Sequence, residues 1–207
     1  ALDLDKETLA GVLRGDVLPQ IHCYRADDML SMLQLSEEFG FKIRSFHHAL
    51  EAYKIADILA DKEVSVSTWA DWWGFKMEAH DAVMANGAMV HAAGGRTIIH
   101  SDSSVGIQRL NQEAAKALRE GKRAGLDVSE EDALRWITLN PAWALGIEDQ
   151  VGSIDVGKRA DILVWDGDPM SVYSSPARVF VDGLERWNAS SPEEPWSDFS
   201  IGPEVSK

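Results

Sequence analysis

Short apolar runs alternate with stretches of helical periodicity through the first part of the chain. The apolar runs lie at 17–23, 42–48, 64–67 and 96–101. Apolar residues recurring every three or four positions predict helices at 6–14, 26–39, 51–60, 76–93 and 111–124. Strands that alternate with helices through short links are typical of parallel sheets with right-handed crossovers. The pattern therefore predicts an α/β fold.

The pattern changes in the last third of the chain. Further helices are expected at 129–138 and 141–146, with Asn140 and Pro141 as N-cap and first helical residue. Beyond Gly146, short strands are expected at 160–165, 177–181 and 184–187, and Asp182–Gly183 predicts a hairpin turn. The segment from residue 188 is rich in Pro, Ser and Glu, which favours a loosely ordered tail. We expect an α/β part over 1–146, a β unit over 147–187 and a tail over 188–207.

Composition excludes several classes of partner. The chain has 207 residues and a net charge of −14, so nucleic-acid binding is not expected, because phosphate contact needs a basic surface. Cys23 is the single cysteine, which excludes an internal disulfide and a cysteine-rich zinc site. No apolar run is long enough to span a membrane. Residues 1–6 do not resemble a signal peptide, which weakly favours the cytoplasm, although a signal would precede residue 1.

Three predicted strands end in residue types that bind metals. His22 ends the run 17–23, His48 ends the run 42–48, and Asp102 follows the run 96–101. The carboxyl ends of parallel strands lie on one face of a sheet or barrel, where active sites are found. Two imidazoles and a carboxylate suit a zinc hydrolase site or a two-histidine, one-carboxylate iron site. On position alone, each histidine could instead be a hydrogen-bonded core residue, and Asp102 a helix N-cap.

Neighbouring residues are candidates for contact with a substrate. Tyr24 and Arg25 follow His22, and Arg25 could bind a carboxylate or pair with nearby Asp27 or Asp28. His100 lies two residues before Asp102, so a regular strand would place both on one face, whereas His47 should face away from His48. Four aromatic residues could wall an apolar pocket or pack between barrel and helix. They are Trp69, Trp72, Trp73 and Phe75.

Four motifs, in this order and spacing, resemble the C-terminal half of the metal-dependent amidohydrolase superfamily. They are IHCYRADD at 21–28, HALEAYK at 48–54, HSDS at 100–103, and VGSI followed by GKRADILVWDGDP within 151–169. The nearest likeness is to the imidazolonepropionase-like and Xaa-Pro-dipeptidase-like branch, and it extends over about residues 1–187. The resemblance implies the C-terminal part of a TIM-like (β/α)8 barrel, strands five to eight. The β unit would then belong to a composite domain.

The resemblance also implies a site. His22, His48 and Asp102 match metal ligands, with Asp102 as the catalytic proton acceptor. Tyr24, Arg25, Trp72 and His100 are the candidate substrate contacts. The cofactor would be one or two divalent metal ions, with zinc favoured, and the substrate a small amide, cyclic amide or dipeptide.

The chain departs from the superfamily pattern in two places. No His-x-His pair matches the first barrel strand, and no lysine matches the fourth. We therefore expect a fragment that lacks its N-terminal half, or a chain whose partner half is a separate polypeptide. A homo-oligomer is also expected, because self-association would cover open sheet edges. An inert half-barrel and a metal-free small-molecule binding module remain alternatives.

Overall fold

A computed structural model describes residues 3–191 of the chain. The chain divides into two compact units, 1–158 and 159–207. The domain limits suggested at residues 146 and 187 stay predictions, and residues 192–207 of the expected tail lie outside the described residues.

The first unit alternates helices and strands in the expected order. Its strands are β1 (Gln20–Cys23), β2 (Ser45–His48), β3 (Ser65–Thr68) and β4 (Thr97–Ile99). Its helices are α1 (Leu4–Arg14), α2 (Ala26–Phe39), α3 (Ala56–Asp61), α4 (Asn86–Ala92), α5 (Leu110–Arg123), α6 (Glu130–Ile137) and α7 (Leu139–Leu145). Helix α2 has the predicted limits and ends at Gly40, which has a φ of 72°. Strands β1, β2 and β4 are shorter than predicted, because each of those apolar runs includes residues outside the paired segment, whereas β3 is as long as predicted and shifted by one residue.

The four strands form a parallel sheet in the order β1-β2-β3-β4. Each strand therefore pairs with the next strand along the chain, as in a barrel wall rather than in a doubly wound sheet. The predicted parallel arrangement is confirmed. Among the residues that the structure describes, β1 and β4 are each paired on one side only.

An apolar layer joins the sheet to its helices. Phe46 and Val66 project from β2 and β3 and are fully buried, together with Met29 of α2 and Leu59 of α3. Burying side chains of this size contributes about 1.5–3 kcal/mol each. This layer holds the strand ends in register, and so fixes the positions of the candidate site residues.

The predicted helix over 76–93 is replaced by a 3-10 turn at Met77–Ala79 and by α4. Two hydrogen bonds tie residues 80–85, between the 3-10 turn and α4, to residues that follow β2. Tyr53 Oη donates to Asp81 O, and Lys54 Nζ donates to Asp81 Oδ2, both at 3.0 Å. The buried Asn86 side chain then bonds Tyr53 N and Ala49 O where α4 begins. These long-range bonds override the local helical pattern.

The expected cap at Asn140 is wrong. Helix α7 begins at Leu139, so Asn140 lies inside the helix, and its side chain is buried. Its Nδ2 donates to Thr97 O at 2.7 Å, at the start of β4. A buried amide needs a partner, and the strand carbonyl supplies one that a cap position would not.

A carboxylate from the segment after β2 accepts a hydrogen bond at the N-terminus of α2. Arg25 precedes α2 without a side-chain capping bond, and Glu51 Oε2 accepts a hydrogen bond from Ala26 N at 2.9 Å. The Glu51 side chain is 6% exposed, and its Oε1 lies 3.1 Å from Lys54 Nζ. A carboxylate here satisfies a free N–H and interacts favourably with the helix dipole.

Replacing Glu51 with Ala is expected to lower the free energy of unfolding by about 1–3 kcal/mol, because Ala26 N then loses its partner in a buried place. Chemical denaturation measures the change. The control is Glu37→Ala, which removes an exposed glutamate of α2 that pairs with Lys62 and should cost under about 1 kcal/mol. Equal losses in the two variants would show that Glu51 does not cap α2.

The second unit is a three-stranded antiparallel sheet of β5 (Ile162–Trp165), β6 (Pro176–Val181) and β7 (Leu184–Asn188). Asp182 and Gly183 join β6 to β7 with φ values of 53° and 75°, which confirms the predicted hairpin. Arg159 donates to both carboxylate oxygens of Asp182, at 2.6 and 2.7 Å, and so fixes the turn. Within residues 3–191, no helix has the length and apolar character needed to cross a membrane.

Candidate active site

The ends of β1 and β2 bring two histidines together. The register pairs His22 with His47 and Cys23 with His48, so His48 lies one position beyond the partner of His22. Their ring centroids lie 4.4 Å apart at 72°. The expectation that both histidines lie at one edge of the sheet is therefore met in the geometry.

The backbone turns sharply at the end of β2. His48 has a φ of 70° and Ala49 a φ of 38°, and Ala49 N donates to Cys23 O at 2.7 Å. Non-glycine residues rarely adopt such values, and they concentrate at functional sites. The turn ends the regular alternation of side chains at His48, so alternation alone does not fix how His47 and His48 face relative to each other. The His47 ring lies 6.1 Å from that of His100, and its Nε2 bonds Gln20 Oε1 at 2.8 Å.

An aromatic stack lies beside the histidines. Trp69 follows β3 and stacks on both His48 and His100, with centroid distances of 4.5 and 5.1 Å. Trp69 Nε1 donates to Ser101 O at 3.2 Å, which fixes the indole. Burial lowers the pKa of His48 to about 4 and that of His100 to about 3. Both imidazoles are therefore neutral at pH 7, the form that binds a metal ion.

Asp102 lies three residues beyond β4 and has a φ of 46°. It is not a helix cap, because Ser103 Oγ accepts the bond from Gly106 N that stabilises the following turn. Its charge opposes the effect of burial and of His22 on the pKa of His48. Asp102 also lines a cavity of about 470 Å³ with Tyr24 and with the loop after β3, which carries Trp69, Trp72, Trp73 and Phe75 and is called the aromatic loop below. The carboxylate therefore faces the same space as the aromatic stack.

Tyr24 and Arg25 differ in their surroundings. Tyr24 is buried and stacks on His48 at 5.0 Å, and its ring meets the His22 ring edge to face at the same distance. Arg25 is exposed and donates from Nε and Nη2 to Asp27, at 2.9 and 3.1 Å. The structure thus contains the ion pair that was one of the two alternatives for Arg25, and a substrate contact by Arg25 stays a proposal.

Lys76 is a neighbour that the sequence did not single out. Its Nζ lies 3.9 Å from the centre of the Tyr24 ring and 2.5 Å from Glu78 Oε1. Glu78, with His22 and Asp28, also lines a second cavity, of about 370 Å³. The only available signal was the position of Lys76 and Glu78 just after the aromatic loop. Cys23 lines the same cavity, but burial raises its pKa to about 11, so it is no ready nucleophile.

The donor set fits a metal ion in part. His48 Nδ1 and His100 Nε2 are buried without a hydrogen-bond partner, which is rare unless a ligand supplies one. Over residues 3–191, however, no group of three His, Cys, Asp or Glu side chains is arranged to hold a metal ion. The residues present therefore supply donors for a metal but do not complete its coordination.

The amidohydrolase family model matches residues 24–194, so this chain belongs to the amidohydrolase family. Amidohydrolase tasK of Hapsidospora irregularis is 35% identical over 191 residues, which cover 90% of this chain and 19% of tasK. An imidazolonepropionase of Shewanella baltica (strain OS185) is 59% identical over 39 residues, 19% of this chain and 10% of that protein. The chain thus spans a small part of the curated relatives that it matches.

Solved structures show the same fold. An amidohydrolase from Thermotoga maritima MSB8 superposes with a TM-score of 0.81 at 36% identity, over 91% of this chain and 48% of that structure. An adenosine deaminase from Xanthomonas campestris with bound zinc superposes with a TM-score of 0.66 at 18% identity, over 91% and 49%. The chain therefore has an amidohydrolase α/β fold, and it spans about half of each of these structures.

Proposed function

We propose that this chain is the C-terminal half, strands five to eight, of a (β/α)8 barrel that hydrolyses C–N bonds with a divalent metal ion. The observation that carries the proposal is the pair His22 and His48, packed at 4.4 Å on adjacent strand ends, with Nδ1 of His48 buried and unpartnered. The single-sided pairing of β1 and β4 and the coverage of about half of the solved relatives support the half-barrel.

In this proposal His22, His48 and Asp102 hold the metal ion, and the remaining ligands come from the other half of the barrel. Zinc suits imidazole donors, and a zinc ion is bound in the Xanthomonas deaminase. When bound, the ion would polarise the substrate carbonyl and lower the pKa of water to about 7. The Asp102 carboxylate takes the proton of the attacking water and passes it to the leaving nitrogen.

The substrate in this proposal is a cyclic amide, as in the imidazolonepropionase match, or an Xaa-Pro-like dipeptide. Tyr24, Trp72 and His100 contact it, and Arg25 does so once it leaves Asp27. The second candidate is a small-molecule binding module without catalysis. The lack of a complete three-residue metal group within the described residues favours it. Such a module, or an inert half-barrel, would bind amides with no turnover, and self-association would cover its sheet edges.

The test is the metal stoichiometry of the purified chain and of the longest natural polypeptide that contains it. We expect about one zinc ion or more per molecule of the longer polypeptide, which supplies the remaining ligands, and weaker binding by the purified chain, both measured by mass spectrometry after dialysis. His22→Ala and His48→Ala should each weaken zinc binding at least about tenfold, because each removes a donor. His80→Ala is the control, since His80 is exposed and lies beside Asp81 rather than at the site.

Circular dichroism confirms that the variants remain folded. Zinc retained equally by all four proteins would place the metal elsewhere. No zinc in either length of polypeptide would favour the binding module. Turnover of dipeptides or cyclic amides by the zinc-loaded longer protein would exclude that module.

A further inference from the structure

The cavity that Asp102 lines has walls made mainly of aromatic rings. Its volume is about 470 Å³. Trp72, Trp73 and Phe75 are close together on one loop, and they are 44%, 39% and 56% exposed. Grouped exposure of large apolar residues marks a binding surface rather than a stable solvent face. The remaining walls are Tyr24, Trp69, Asp71 and Asp102.

The rings of this cavity are ordered by one another. Trp72 stacks on Trp69 at 5.9 Å and 25°, and Phe75 meets Trp69 edge to face at 5.9 Å and 81°. Trp69 in turn stacks on His48. A continuous aromatic layer therefore runs from the candidate metal histidines to the outer loop. A flat group in the cavity could stack on this layer while its attached amide reaches Asp102.

The charges of the lining disfavour an anionic ligand. Its two charged residues are both acidic, and Lys116 Nζ holds Asp71 at 2.7 Å. Lys76 Nζ lies over the ring of Tyr24, and it forms an ion pair with Glu78. In the metal-free chain, a carboxylate in the cavity would thus meet no lining cation, and it would face Asp102. A neutral ring, or one with a positive charge, meets faces that attract it.

We propose that this cavity selects amide substrates that carry a flat aromatic group without negative charge, stacked against Trp72 and Trp69. The inference deepens the proposed function and rests on it for the reaction, although ligand binding can be tested without turnover. It makes Trp72 a residue that determines specificity.

The experiment compares three probes by calorimetric titration into the metal-free chain, so that the charge of a bound ion does not act on the carboxylate. N-benzylacetamide carries a flat ring, N-(cyclohexylmethyl)acetamide a saturated ring of similar size, and 4-(acetamidomethyl)benzoate a ring with a carboxylate. We expect the first to bind about tenfold more tightly than either of the others, since stacking favours the flat ring and the acidic lining repels the carboxylate.

Trp72→Ala should weaken binding of the benzyl probe about tenfold, and Trp72→Phe should retain most of it, because a ring is kept. The control is Trp187→Ala, which removes a tryptophan of similar exposure, 41%, from β7 in the second unit. Binding of the benzyl probe to this control should be unchanged.

The outcomes separate this inference from the proposed reaction. Equal binding of the flat and saturated probes, or no effect of Trp72→Ala, overturns the aromatic pocket even if amides are hydrolysed. Absence of binding by all three probes also overturns it and identifies the aromatic loop as a packing surface. Selective binding that depends on Trp72, without hydrolysis of any amide, supports the pocket while the proposed reaction fails.

Discussion

Replacing Asp102 with Asn should lower the turnover of an amide substrate by about 10²–10⁴-fold, measured as kcat in the zinc-loaded longest natural polypeptide that contains this chain. Asn has nearly the shape of Asp and also tolerates the left-handed backbone that Asp102 adopts, with its φ of 46°. The change therefore removes the proton acceptor, and alters one proposed metal ligand, with little backbone cost. The stability of the variant should stay close to that of the parent.

Asp71→Asn is the matched control for that experiment. Asp71 lines the same cavity as Asp102, but its carboxylate is held by Lys116 at 2.7 Å. We expect its loss to change kcat by less than about tenfold, since it removes no proton acceptor. If the two variants lose activity equally, the effect comes from the charge of the cavity and the assignment of Asp102 is wrong. Full activity of Asp102→Asn would also refute the assignment.

Replacing Trp136 with Ala is expected to cost about 3–5 kcal/mol in the free energy of unfolding. Trp136 lies on α6, is fully buried, and donates from Nε1 to His91 Nδ1 at 3.3 Å. Removing it leaves a large cavity between α6 and its neighbours and an unpaired His91 nitrogen. Denaturant unfolding followed by circular dichroism measures the loss.

Two further variants are compared with Trp136→Ala for their loss in the free energy of unfolding. Trp136→Phe keeps much of the packing but removes the indole N–H, and it should lose less than the Ala variant. Trp187→Ala removes a tryptophan that is 41% exposed on β7, and it should cost much less than Trp136→Ala. A Trp136→Ala protein as stable as the Trp187→Ala protein would contradict the burial that assigns Trp136 to the core.

The elements that the sequence predicts well are those with local signals. Helix α2 has apolar residues at helical spacing and a glycine at its end, and both limits were predicted. The α4 region had a helical pattern too, but contacts from Tyr53 and Lys54 to Asp81 hold part of it in turns. Such contacts join residues far apart in sequence, so periodicity does not reveal them.

The candidate site shows the same division. The order and spacing of His22, His48 and Asp102 were enough to expect them at one edge of the sheet. The side-chain directions were not predictable, because His48 and Asp102 take positive φ values and interrupt strand alternation. The stack of Trp69 on His48 depends on packing between β2 and β3.

The order β1-β2-β3-β4 has a consequence for how the first unit folds. Each strand pairs with the strand that follows it in the chain, so no pairing has to wait for a segment made later than the next strand. During synthesis, each new strand and helix can dock on the part already made. We expect β1 and β2 to pair before β4 has left the ribosome.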